Sequence, residues 1–177
     1  MRLAMRLLLL TSTILLSACG PLTFAAETKG EATIAGSTLG QLLNTFPQAG
    51  GFTNIDFSQN QDFKNNNTSR ENVKSMKVTS LTLKITSPNS QDFGFLDSLE
   101  FNVKAAGKQQ KIASKTGIAG LGLAAPNPTL TLDLIDADLG EYVRASDFTI
   151  VTSGTGRQPA QDTKIDINVK FLVGVGL

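Results

Sequence analysis

The strongest constraint on the fold is an alternation around residue 170. Ile165, Ile167, Val169, Phe171, Val173 and Val175 fall in one phase, against Asp166, Asn168 and Lys170 in the other. Period two sends successive side chains to opposite faces of an extended chain, so this is a strand with one face buried. Such a strand needs neighbours in a sheet and a second layer over its apolar face.

The rest of the chain supplies both. Residues 74–87 are rich in Thr, Val, Leu and Ile, with Met76 and Val78 in one phase and Leu81, Leu83 and Ile85 in the other. A phase change inside one strand predicts a bulge near Thr79 and Ser80. Pro88-Asn89-Ser90 then turns the chain. Further strands are expected at Leu99, Phe101 and Val103, around Ile112, at Leu130, Leu132 and Leu134, and at Phe148 and Ile150, the last ended by a turn at Gly154-Thr155-Gly156. Leu39, Leu42, Leu43 and Phe46 recur at helical spacing before Pro47, which predicts a short helix over residues 37–46. Residues 53–58 read as a strand with Ile55 and Phe57 on one face, and the Asn- and Gln-rich stretch 60–72 as an exposed loop. The expected fold is mainly all-β. It is an antiparallel β-sandwich of immunoglobulin-like or jelly-roll type, with one or two short helices.

Composition closes off several chemistries. The chain has no histidine and a single cysteine, Cys19. The commonest general base and the usual ligands of zinc, copper and iron are therefore missing, and Ser-His and Cys-His nucleophilic machinery is excluded. No serine has a lysine three positions on. Sixteen basic side chains face fifteen acidic ones, so no electrostatic case exists for nucleic acid as a partner. What remains open is carboxylate chemistry and the binding of hard cations. No cofactor is expected. With carboxylates scattered singly and no tryptophan to stack a sugar ring, no enzyme is expected either.

The amino terminus has its own logic. Arg2 and Arg6 precede an apolar run from Leu7 to Leu16, which ends in Leu16-Ser17-Ala18-Cys19. The run is too short to span a bilayer, which takes about 20 apolar residues, and Thr11, Ser12 and Thr13 interrupt it. A basic start, a short apolar segment and small residues ahead of a cut are the parts of a secretory signal. With cysteine directly after the small residues, the segment resembles the signal peptides of bacterial lipoproteins. That resemblance implies that Cys19 receives a diacylglycerol, that cleavage falls before it, and that the new amino terminus is acylated. Leu16, Ser17 and Ala18 complete the lipobox. Gly20, where enteric lipoproteins retained in the inner membrane carry Asp, implies the outer membrane of the bacterial envelope. The division expected is a signal peptide at 1–18, the lipidated cysteine and a small, polar tether at 19–31, and one sandwich domain at 32–177. A small outer-membrane barrel is disfavoured by the single tyrosine and absent tryptophan, since barrels carry aromatic girdles. Val-Thr-Ser-Leu-Thr-Leu-Lys-Ile-Thr-Ser-Pro (78–88) and Asp-Ala-Asp-Leu-Gly-Glu-Tyr-Val (136–143) resemble segments of uncharacterised bacterial lipoproteins, a likeness that implies no activity.

Three further motifs have a functional and a structural reading. Asp133, Asp136, Asp138 and Glu141 could offer oxygen ligands to Ca²⁺. Gly140, however, stands where an EF-hand loop needs its third oxygen ligand. The structural reading, a capping box with Asp138 as N-cap, Glu141 three residues on and a short helix carrying Tyr142 and Val143, is preferred. Asp92-Phe93-Gly94 lacks every other kinase element, and reads as a turn with Phe93 and Phe95 in the core. Gly117, Gly120 and Gly122 punctuate a loop whose Ile118, Leu121 and Leu123 either pack beneath it or meet a partner. Function thus divides between two classes. The first is a membrane-anchored, non-catalytic binding or scaffolding module that holds an envelope protein through an edge strand or apolar loop. The second is a lipoprotein that binds a small molecule or glycan, with or without Ca²⁺.

Overall fold

The computed structural model describes residues 22–43 and 45–176. Its strands are β1 (Leu22–Ile34), β2 (Leu42–Leu43), β3 (Val73–Ser87), β4 (Leu96–Ala105), β5 (Lys108–Thr116), β6 (Thr129–Thr131), β7 (Asp133–Leu134), β8 (Thr149–Arg157) and β9 (Thr163–Val175). Two short helices join them, α1 (Gln61–Asn65) and α2 (Gly140–Val143). One sheet has the order β1-β9-β3-β6 and the other β2-β8-β4-β5-β7, with every pairing antiparallel. The protein is an antiparallel β-sandwich. Within the expected class its strand order is that of a jelly roll, with β7 added at one edge.

The alternation in β9 explains its place. Ile165, Ile167, Val169, Phe171 and Val173 are at most 1 % exposed, which requires a covered face. The backbone of β9 is ladder-bonded on both sides, to β1 from Leu22↔Val175 to Ile34↔Thr163 and to β3 from Val73↔Val175 to Ser87↔Lys164. The bulge anticipated in β3 is present, as a register shift between Val78 and Ser80 that leaves Thr79 unpaired with β9. It swaps the phase so that both Met76 and Leu81 reach the core. Phe93 and Phe95 are buried beyond the turn, with ring centroids 6.5 Å apart.

Several local expectations give way to tertiary pairing. Residues 37–46 form no helix. Their four apolar side chains do not share a destination, since Leu43 and Phe46 are buried whereas Leu39 and Leu42 are 82 % and 67 % exposed. The backbone is taken by other segments instead, with Ser37 N–H donating to Pro159 O at 2.7 Å and β2 pairing with Arg157 and Gly156 of β8. Residues 53–58 are not a strand. Asp56 accepts from Ser58 N–H at 2.9 Å and starts a 3-10 turn at Phe57–Gln59 that drops Phe57 into the core. Within the loop expected at 60–72 lies α1, capped by Asn60, which accepts from Asp62 N–H. Its one apolar residue, Phe63, is fully buried. The strand expected through Leu130, Leu132 and Leu134 divides between the sheets. β6 pairs with β3, β7 pairs with β5, and the chain crosses at buried Leu132. Gly154-Thr155-Gly156 is no turn but the second half of β8. At Gly154 a Cβ would meet Leu99 Cδ2 at 2.7 Å and Ser98 O at 2.9 Å, so the missing side chain allows β4 and β8 to pair closely. The tether expected at 19–31 is corrected from Leu22 onward, because residues 22–34 are β1 and belong to the sandwich.

The two sheets close at one end over an aromatic cluster. Phe57 lies 5.3 Å from Phe63, 5.1 Å from Phe148 and 5.9 Å from Phe171 between ring centroids, and Phe63 stacks edge-on to Phe24 at 5.1 Å. One ring therefore ties a 3-10 turn, α1, β9 and the entry to β8. Truncation there leaves a hole that four separate segments cannot all collapse into. Phe57→Ala should lower the unfolding free energy by about 3–5 kcal/mol, read from the urea midpoint. A loss below about 1 kcal/mol would mean the cluster does not organise this end.

Candidate functional site

Cys19 and the lipobox residues Leu16, Ser17 and Ala18 lie outside the described residues. The nearest described position is Leu22, the first residue of β1, which is 47 % exposed.

The acidic cluster does not converge. Asp133 pairs with Lys115 of β5 at 2.9 Å, Asp136 with Lys77 of β3 at 2.7 Å, and Glu141 with Lys108 at 2.9 Å. Neutralised one by one by separate lysines, these carboxylates form no shared oxygen cage, and among the described residues no group of three acidic or cysteine side chains could hold a metal. Asp138 does something else. Its Oδ1 accepts from Gly140 N–H at 2.9 Å, at the start of α2, and from Met76 N–H at 3.0 Å in β3. Leu139 N–H donates to Met76 O at 2.7 Å beside it. The expected capping box is not formed, since the N-cap of α2 is Leu139, which makes no side-chain capping bond. Asp138 lies one residue before that cap, where its oxygen serves the turn into α2 and a strand together, and Glu141 turns to Lys108 rather than back along the chain.

The glycine loop folds as a 3-10 turn at Ile118–Leu121, between Gly117 and Gly122, both in the left-handed region at φ 65° and 63°. Ile118 is buried and Leu123 packs partly on the core, while Leu121 is 44 % exposed. Most of its apolar content is therefore consumed inside the molecule.

The sheet edges are as informative. β1 is long and lies at an edge, where free amides invite another strand. At Glu27 the edge is sealed by α1, since Glu27 N–H donates to Asp62 Oδ2 at 2.9 Å and Glu27 O accepts from Asn60 Nδ2 at 2.8 Å. At Glu31 it is sealed by a bridge to Gly50, with both hydrogen bonds made. The other edge strands, β2, β6 and β7, span two or three residues. An exposed edge suited to strand addition, one of the surfaces anticipated for a partner, is thus scarce.

A feature that sequence reading missed is the outer face of the second sheet. Ser98, Glu100, Lys111, Ser114, Thr116, Ser153 and Thr155 line a shallow groove of about 290 Å³. They come from three strands brought side by side, with Ser98↔Thr116 and Ser98↔Thr155 in register. Period two on each strand was the available signal, but the pairing of the strands could not be read from it. Ser98 Oγ and Thr155 Oγ1 are 2.7 Å apart, Lys111 Nζ lies 2.5 Å from Glu100 Oε2, and Asn102 Nδ2 donates to Glu100 Oε1 at 2.8 Å. The Lys111 ammonium, and then the Asn102 amide, hold the Glu100 carboxyl below its ordinary value of 4.5. A base of lowered pKa is a poor proton acceptor at neutral pH. The groove offers hydroxyls and one fixed ion pair, with no aromatic ring among its lining residues.

No family model matches the chain, and no curated protein does. Among solved structures, a decameric BFDV capsid protein aligns with 10 % identity over 88 % of this chain and 99 % of its own, at a TM-score of 0.43. A 60-mer form of BFDV capsid protein aligns with 10 % identity over 87 % of this chain and 92 % of its own, at a TM-score of 0.39. Likeness at that level supports no conclusion about what this chain does.

Two outcomes follow from the side-chain geometry. Asp138→Ala, which leaves the Met76 and Gly140 amides without their acceptor, should cost about 1–3 kcal/mol, while millimolar Ca²⁺ leaves the Tm of the native protein unchanged; a calcium-dependent rise in Tm would restore the cation site. Because the folded-state pKa of Glu100 is depressed, its contribution is present above 4.5 and fades as pH falls through the lowered value. Glu100→Gln should therefore flatten the dependence of the urea midpoint on pH in that acidic range and leave it unchanged in slope above.

Proposed function

We propose that this protein is a lipid-anchored module of the bacterial cell envelope, attached through Cys19 to the outer membrane, whose sandwich acts in binding or scaffolding rather than catalysis. One observation carries the proposal. A basic start, a short apolar run and Leu16-Ser17-Ala18-Cys19 stand in the order that lipid attachment needs, and only Gly20 and Pro21 separate that cysteine from a folded strand. A thiol in that position becomes a thioether to diacylglycerol, and anchorage then comes from buried methylenes at about 0.8 kcal/mol each. More than one chain is needed for lasting attachment, which the acylated amino terminus would supply.

The character of the domain supports a non-catalytic role. Asp133, Asp136 and Glu141 are each paired with a separate lysine, and the one carboxylate of the hydroxyl groove, Glu100, is paired with Lys111, which lowers its pKa. Between the two binding classes, the same groove bears on the alternative of a small-molecule or glycan ligand. Its lining has hydroxyls to satisfy a sugar but no ring to stack one, which favours a protein partner over a saccharide.

Intact-mass measurement on protein extracted from membranes tests the proposal. The expected product begins at Cys19 and carries the mass of a diacylglycerol and an acyl chain, and Cys19→Ala should leave the membrane fraction or retain residues 1–18. An unmodified Cys19 in the wild-type protein would end the lipoprotein reading. A defined saccharide bound at micromolar affinity by the soluble domain would replace scaffolding with ligand binding.

A further inference from the structure

We infer, resting on lipid attachment at Cys19, that the sandwich stands end-on with the pole at the start of β1 in contact with the membrane's lipid headgroups. The argument is one of reach. Three Cα–Cα steps separate Cys19 from Leu22, so whatever path residues 19–21 take, Leu22 lies within about 11 Å of the lipidated residue. The headgroup layer itself is roughly 5–8 Å deep on each side of the hydrocarbon. The start of β1 is therefore at the headgroups or among them.

That pole has a defined composition. Antiparallel pairing brings Leu22 beside Val175, and Val175 beside Val73, so the start of β1, the end of β9 and the start of β3 share one end of the sandwich. Gly176 N–H donates to Asn72 O at 3.2 Å, which holds the segment before β3 against the end of β9. Arg144 Nη1 donates to Val73 O at 2.7 Å, which adds the residue after α2 to the same end. Half-exposed Leu22 thus shares its end of the sandwich with Arg70, exposed Lys74 and exposed Arg144. Of the carboxylates beside them, Glu71 is tied to Arg70 at 3.0 Å and Asp138 to backbone amides. An exposed apolar side chain at the same end as Lys74 and Arg144 suits the boundary between acyl chains and phosphate groups.

The flanks are different. The outer face of the first sheet mixes the two signs, with Lys29 paired to Glu27 at 2.8 Å, Lys77 to Asp136, Lys84 in register with Asp166, and Lys164 and Lys170 exposed on β9. The opposite pole, where Ser37, Leu39 and Leu42 lie beyond the end of β1, is 13 strand residues from Leu22, or roughly 40 Å at 3.3 Å each. Upright attachment holds that end well clear of the lipid.

The experiment uses the acylated full-length protein in vesicles that contain phosphatidylglycerol and a headgroup-borne quencher. With Cys19 acylated the chain has no other thiol, so a single introduced cysteine takes a fluorophore unambiguously. Asn72→Cys should be quenched several-fold more strongly than Thr38→Cys at the far pole and Lys84→Cys on the flank. A Gly/Ser insert of about ten residues between Pro21 and Leu22 should reduce that difference, because the linker then permits many orientations. Equal quenching at all three positions would overturn the inference, and strong quenching at Lys84→Cys would show the domain lying on its first sheet. Mass analysis of the same sample separates the two failures. An acylated protein without the difference loses only the orientation, and an unacylated one loses the anchor with it.

Discussion

Everything in this molecule depends on β9 being satisfied on three sides. Its amides and carbonyls are taken up by β1 on one flank and β3 on the other, and its apolar face is covered by the second sheet. A strand so placed has no tolerance for a one-residue slip, which would turn Ile165, Ile167, Val169, Phe171 and Val173 to solvent and bury Asp166 and Lys170. Register in the first sheet is therefore fixed by side-chain burial. The bulge at Thr79 of β3 is the local adjustment that lets a partner strand with a broken phase meet an unbroken one.

The same alternation is why the sheets were legible in the sequence. β9, β4 and the bulged β3 bury enough alternating apolar residues that no competing arrangement satisfies them. Segments with few apolar residues were misread for the complementary reason. Leu39, Leu42, Leu43 and Phe46 imitate a helical stripe, but β8 offers their backbone partners and only Leu43 and Phe46 find the core. Phe63 was outweighed by the polar residues around it, although a single fully buried ring suffices to pin α1 once Phe24 and Phe57 are in place. At Leu132 the pattern was right and the destination was not, since alternation cannot say which of two sheets a residue joins.

The functional residues divide likewise. Cys19 is legible because lipid attachment is specified by a contiguous motif that needs no fold. Asp138 reads from sequence as an N-cap, a place Leu139 takes, and not as a clasp on Met76, because that contact joins positions far apart in the chain. The hydroxyl groove was invisible for the same reason, being assembled from β4, β5 and β8 only after they pair. Local chemistry can be read from sequence, whereas a surface made of several strands has to be built first.

The pairing of Leu22 with Val175 also governs the order in which the protein can come into being. A ribosome releases residues 22–34 early and residues 163–175 only after everything between them. Until then β1 has no strand to lie against and β3 only the three residues of β6, so the first sheet cannot be completed however long the chain waits. The first sheet of a newly made polypeptide is thus held open by its own topology until the last strand arrives.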